Sequence, residues 1–173
     1  MYKRYSYFVA SIFTLYLCLA GTAIKAQAPT DSVPKDPGSL SVYTIQNMSF
    51  GAFAAGSTGG SVVLSSSGTR SATGTVLPLN MGSSFFQAIF EIEGPPGTII
   101  SILNGPNATL TGSNGGSMSL QIGTSNPAAP FSNTVAPPGR TLINFGGTLT
   151  VGNNVSTIPG AYTGTFYITF NQE

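Results

Sequence analysis

The stretch FQAIFEIE (residues 86–93) reads as a strand with two unlike faces. Successive side chains of a pleated strand point to opposite sides. Phe86, Ala88, Phe90 and Ile92 therefore share one face, and Gln87, Ile89, Glu91 and Glu93 share the other. The first face is built to be buried and the second to be wetter. The same period of two recurs further along the chain, where Met118, Leu120 and Ile122 alternate with Ser117, Ser119 and Gln121. It returns after the turn at Pro159-Gly160: Tyr162, Gly164, Phe166, Ile168 and Phe170 point one way, and Thr163, Thr165, Tyr167 and Thr169 the other.

Working outward from these segments, short runs of β-branched and aromatic residues are broken by Gly, Asn, Ser and Pro clusters. The pattern predicts strands at 40–50, 60–66, 72–79, 85–93, 98–103, 108–111, 117–123, 141–145, 148–151 and 162–170. No segment beyond the N-terminal region holds an apolar period of 3.6 for three turns, and the 22 glycines and 12 prolines oppose long helices. The expected class is all-β, with antiparallel strands closed as a β-sandwich or barrel. The segment 124–138 carries four prolines and one aromatic, Phe131, and reads as a long irregular loop. GSNGGS (residues 112–117) has no lysine after it and reads as a hairpin tip rather than a phosphate cradle.

The first residues have a different character. Lys3 and Arg4 precede the apolar run FVASIFTLYLCLA (residues 8–20), and small residues follow it. This is the layout of a secretory signal peptide, with cleavage expected after Ala26. The run is short against the ~20 apolar residues of a membrane span, so no span is expected after cleavage. The expected organisation is a signal peptide at 1–26, a Pro-rich extended leader at 27–39 and a β-domain at 40–173. The chain is expected to be exported to the periplasm, the cell surface or the medium.

Removal of 26 of the 173 residues leaves 147, enough for one domain with its own core. Cys18 departs with the signal, so the processed chain has no thiol and must be held by packing alone. Its basic residues are Lys35, Arg70 and Arg140 and its acids are Asp31, Asp36, Glu91, Glu93 and Glu173, a formal charge of −2. Three scattered cations cannot form the basic stripe that holds phosphates, which argues against nucleic acid as a partner.

The processed chain also lacks His and Trp. Without His or Cys the usual ligands of zinc, copper and iron are missing, and no Ser-His-Asp or Cys-His arrangement can be assembled. No cofactor and no catalytic residue are expected, and the protein is read as a non-enzyme. Glu91 and Glu93 share a strand face and are weighed as a calcium-holding or glycosidase pair, against solvated charges on an outer sheet, the reading preferred. Tyr167, expected to face outward, is the candidate stacking platform for a glycan, with cross-strand packing as the plainer role. Tyr162, at the head of the last strand, is placed to pin a corner by hydrogen-bonding upstream backbone. Ser32, in the leader sequence Asp31-Ser32-Val33, matches an O-glycosylation signal.

Four fragments, MSFGAFAAGSTGGSVVLSSSGTRSATG, AIFEIEGPPGTIISI, GGTLTVGNN and PGAYTGTFYITF, together resemble the bacterial exported family called domain of unknown function 4402, over roughly residues 39–171. The steps Phe50-Gly51-x-Phe53, Gly68-Thr69-Arg70, Gly94-x-Pro96-Gly97 and Gly160-x-Tyr162-x-Gly164-x-Phe166 stand in the family's order. The resemblance implies a single immunoglobulin-like sandwich similar to pilin, fimbrial and spore-coat-type subunits, with no established activity. It also implies that Tyr162, Gly164, Phe166, Ile168 and Phe170 form a strand-pairing edge for other surface or fimbrial subunits. The leader holds three prolines and is a poor donor strand. That leaves a capping or tip subunit, or a closed sandwich whose last strand pairs internally. A free-standing carbohydrate-binding module is the alternative.

Overall fold

In the computed structural model, residues 38–173 are described. They form fifteen strands and, among the described residues, no helix. In chain order these are β1 (Ser41–Gln46), β2 (Ser49–Phe50), β3 (Ala52–Ala54), β4 (Gly60–Leu64), β5 (Arg70–Gly74), β6 (Leu77–Leu79), β7 (Phe85–Phe86), β8 (Ala88–Glu93), β9 (Ile99–Asn104), β10 (Ala108–Gly112), β11 (Ser117–Asn126), β12 (Phe131–Ser132), β13 (Thr141–Val151), β14 (Tyr162–Thr163) and β15 (Ile168–Gln172). The expected all-β class holds, and every ladder between these strands is antiparallel. The signal peptide, the leader as far as residue 37 and Ser32 lie outside the described residues.

The largest sheet runs β1-β8-β13-β11-β10-β14, with β4 joined to β13 and β5 joined to β4. Its spine is β13. One edge of β13 pairs first with β8, through Thr141–Phe145, and then with β4, through Gly147–Val151. The other edge pairs with β11 across a bulge between Ile122 and Ser125. Two strands with a turn between them were expected here, around Gly146-Gly147. The glycines instead make room for a neighbouring chain: a Cβ at Gly146 would run into the Leu64 carbonyl oxygen and the Ser65–Ser66 backbone, where β4 leaves the sheet. Gly146→Ala should cost about 2 kcal/mol, the range for overfilling a packed site. Urea unfolding of the variant against the parent measures it, and an unchanged midpoint would contradict this role.

A second sheet, β12-β9-β15, places Ile100 against Phe131 on one side of β9 and Ile102 against Phe170 on the other. The two sheets meet through three rings. Phe90 of β8 stands edge-on to Phe145 of β13 with centroids 5.7 Å apart. Phe170 of β15 lies 5.8 Å from Phe90 and 6.1 Å from Phe145. The two edge-to-face pairs, Phe90–Phe145 and Phe145–Phe170, add about 0.5–1.5 kcal/mol each beyond their buried area. Around them Ile92, Ile100, Ile143 and Leu64 are fully buried. The apolar faces read from the period of two, Ala88/Ile92 and Met118/Leu120/Ile122, supply much of this core.

The closing segment departs from the single strand expected at 162–170. Tyr162 and Thr163 pair with Gly112 and Thr111 at the edge of the large sheet. From Ile168 onward the chain pairs with β9 in the other sheet. The alternation still survives the crossing, since Tyr162, Phe166, Ile168 and Phe170 all pack against the core. Gly164 sits at the crossing, where a Cβ would lie 2.6 Å from the Thr109 carbonyl oxygen. Only a residue without a side chain passes β10 that closely. The 124–138 segment is also more ordered than a loop: β11 extends to Asn126, and Phe131 joins β9.

Asn133 is the buried polar side chain of this core, 1% exposed. Its Nδ2 donates to the carbonyls of Gly94 (2.8 Å), Pro95 (3.1 Å) and Val135 (3.0 Å). Its Oδ1 accepts from Thr141 Oγ1 at 2.7 Å and from the Val135 amide at 3.4 Å. One amide thus ties the Gly94-Pro95-Pro96-Gly97 turn to the start of β13.

Candidate functional site

The candidate site grows out of two backbone runs that face one cavity. The first run, 48–55, contains β2 and β3, which are bonded to β7 and β6 rather than to the large sheet. It turns sharply at Gly51, whose φ of +68 lies in the left-handed region that favours glycine. Arg70 holds this run from behind. Its Nη1 donates to the carbonyls of Phe50 (2.9 Å) and Ala52 (3.1 Å), on either side of Gly51, and its Nη2 donates to Leu79 (3.3 Å) on β6. The guanidinium also lies 4.3 Å from the centre of the Phe85 ring. The planar fork of an arginine, with donors fixed in direction, suits this clamp on three carbonyls.

The second run, 157–162, precedes and enters β14. Tyr162 donates its hydroxyl to the Ile158 carbonyl at 2.7 Å, the upstream backbone pin expected of it. Asn114 Nδ2 donates to the Pro159 carbonyl at 2.8 Å, and Ser113 accepts from the Ala161 amide at 3.2 Å through its hydroxyl. The hairpin tip at 112–117 thus buttresses this wall. Asn154 donates its amide to the Gly56 carbonyl at 2.9 Å, tying the two sides at one end.

Between the walls is a cavity of about 720 Å³. Its floor is Leu110, Met118 and Leu149, at most 9% exposed, from β10, β11 and β13 of the large sheet. Met81, 74% exposed, and Ile158 stand at its rim. Apart from Met1, the chain has three methionines, Met48, Met81 and Met118, and all three line this cavity. Among the described residues no Asp, Glu, Lys or Arg does. The lining offers hydroxyls and one carboxamide as polar groups, among them Ser49 and Asn154. A volume in this range with a largely apolar wall and a few polar points is typical of a small-molecule site.

The structure separates the other sequence candidates from this cavity. Glu91 and Glu93 share a face, as read, and meet one cation: Arg140 Nη1 lies 3.2 Å from Glu91 and its Nε 3.5 Å from Glu93. The hydrogen bond to Glu91 pushes the exposed Arg140 guanidinium further above its usual value. The same group stacks 3.8 Å from the centre of the Tyr43 ring. The pair was expected to stand in solvent, but Arg140 folds over it, leaving the two side chains 26% and 15% exposed. Tyr167 faces outward as expected, 71% exposed, while its carbonyl accepts from the Gly105 amide. Of the five residues of the expected pairing edge, Tyr162 lines the cavity, and Phe166, Ile168 and Phe170 pack on the core.

The sequence profile described as Domain of unknown function (DUF4402) matches residues 40–171. The chain belongs to the DUF4402 family. No curated protein and no solved structure matches it. Three of the four steps that carried the resemblance meet at this one place in the DUF4402 domain: Phe50-Gly51-x-Phe53 is a wall, Arg70 clamps it, and Gly160-x-Tyr162 is the facing wall. The fourth, Gly94-x-Pro96-Gly97, is the turn that Asn133 holds. Sequence reading missed the cavity because its parts are far apart in the chain. The one signal was the methionine count, three residues in a chain of few soft apolar side chains.

Proposed function

We propose that this protein is a non-catalytic structural or adhesive domain of the cell exterior, an immunoglobulin-like sandwich that joins other surface subunits by strand pairing. The observation that carries this reading is the position of β15. It is bonded to β9 and stands at the end of its sheet, with no second ladder partner among the described residues. An edge strand presents a row of backbone donors and acceptors to an added strand. Ile168 and Phe170, partly buried, already pack on the core, so pairing there would need no rearrangement of either. The segment at residues 1–26 supports export, and the inventory of reactive side chains supports a role without turnover.

The test is titration of the exported protein with peptides from the surface subunits encoded beside it, read by fluorescence anisotropy. Saturable binding, weakened when Thr169 and Asn171 on β15 are both replaced by Lys, is expected. A stable monomer that takes up none of these peptides would overturn the proposal. Glycan-array binding lost on Tyr167→Ala would favour the carbohydrate-binding alternative, for which the exposed Tyr167 ring is the supporting feature.

A further inference from the structure

We propose that the cavity between the Met48–Ala55 and Thr157–Tyr162 walls is a binding site for an uncharged, predominantly apolar molecule with an extended hydrocarbon segment. This goes beyond strand pairing at β15 and does not depend on it. The argument begins with charge. Among the described residues no acid, lysine or arginine lines the cavity, and the nearby arginine, Arg70, points three of its donors at the carbonyls of Phe50, Ala52 and Leu79. A carboxylate or phosphate entering here would lose its water and meet no cation in return, and an ammonium would meet no anion. The site selects neutral ligands by leaving charged ones uncompensated.

Shape and chemistry narrow the class. The walls are two runs of consecutive residues, eight on one side and six on the other, over a floor of buried Leu110, Met118 and Leu149. Such walls outline a slot rather than a round pit, which suits a chain-like ligand. The three methionines span floor and rim. Their unbranched, polarisable side chains adapt to apolar guests of varying outline. The Asn154 carboxamide supplies a neutral hydrogen-bonding group for an alcohol, ester or amide end, while the Ser49 hydroxyl is engaged by the Ser84 carbonyl and the Gly51 amide. A saccharide is a poor fit, because the floor is aliphatic and sulfur-bearing rather than polar.

The experiment uses the full exported protein and the neutral fluorophore N-phenyl-1-naphthylamine. Saturable enhancement at one site per chain is expected, displaced by dodecanol at least tenfold better than by dodecanoate at pH 8. Met81→Asp puts a charge at the exposed rim and should weaken the fluorophore at least tenfold while leaving the unfolding midpoint in place. Ala55→Phe enlarges a side chain that lines the slot and packs toward the core, and should weaken it as well. Absence of saturable binding, equal displacement by the acid and the alcohol, or binding unmoved by both substitutions would each overturn the proposal. Peptide capture at β15 is read separately, so either proposal can fail alone.

Discussion

Asn133→Asp is expected to destabilise the domain by about 4 kcal/mol at neutral pH, the scale for an unpaired charge or broken network in a buried site. The substitution removes the two N–H donors that reach the Gly94, Pro95 and Val135 carbonyls, and it points a carboxylate oxygen at those same oxygens. At 1% exposure, little water is available to compensate. Desolvation and the facing carbonyls favour the neutral acid, so the introduced carboxyl titrates above the ~3.9 of a free aspartate when the protein is folded. A group whose folded value is raised contributes its stability below the unfolded value and loses it as pH rises through the folded one. The deficit relative to the parent is therefore largest at neutral pH and shrinks as pH falls toward about 4. Asn133→Leu removes the same hydrogen bonds without a charge, and its deficit should not vary with pH in this way. Urea unfolding of the parent and both variants at pH 7 and pH 4 decides the matter. Equal deficits for Asp and Leu at the two pH values would show that the carbonyls swing away from the charge, and a negligible deficit in both would show that Asn133 does not hold the turn.

Arg70→Met is expected to cost about 3 kcal/mol, since charge-assisted hydrogen bonds are worth about 1.5–3 kcal/mol each and partial rehydration returns some of that. Arg70 reaches three carbonyls on three short strands and stacks on Phe85. Methionine keeps much of the side-chain volume and none of the donors. The loss is expected to be local as well as global. Strands β3 and β6, bonded mainly to each other, should exchange their amide hydrogens faster, while β8 and β13 at the core keep their protection. Arg70→Lys should recover less than half of the loss, because one ammonium cannot span Phe50, Ala52 and Leu79 together. Full recovery by lysine would mean that charge alone matters. Unchanged exchange in β3 would mean that the clamp is not what shapes the cavity wall.

The two residues share a logic that bears on function. Asn133 and Arg70 both use side-chain donors to position backbone. Asn133 sets the entrance to β13, and Arg70 sets the wall of the cavity.

The sequence by itself determined the strand class and the buried faces. The alternation in Phe86–Ile92 and Met118–Ile122 is local: each side chain's face follows from its parity on a pleated strand, whatever the partner. It also determined which residues could carry charge or react, since that inventory needs no coordinates. Tertiary structure decided the rest. Gly146-Gly147 has the composition of a turn, yet β13 runs through it because β4 approaches too closely for a side chain. The tail keeps its alternation and still changes sheets between Thr163 and Ile168, a choice of neighbour that parity cannot encode. The cavity is the clearest case. Met48, Met81 and Met118 stand on separate segments, and only long-range pairing brings them to one wall and floor. Periodicity records which way a side chain points, and the ladder partners determine what it meets there.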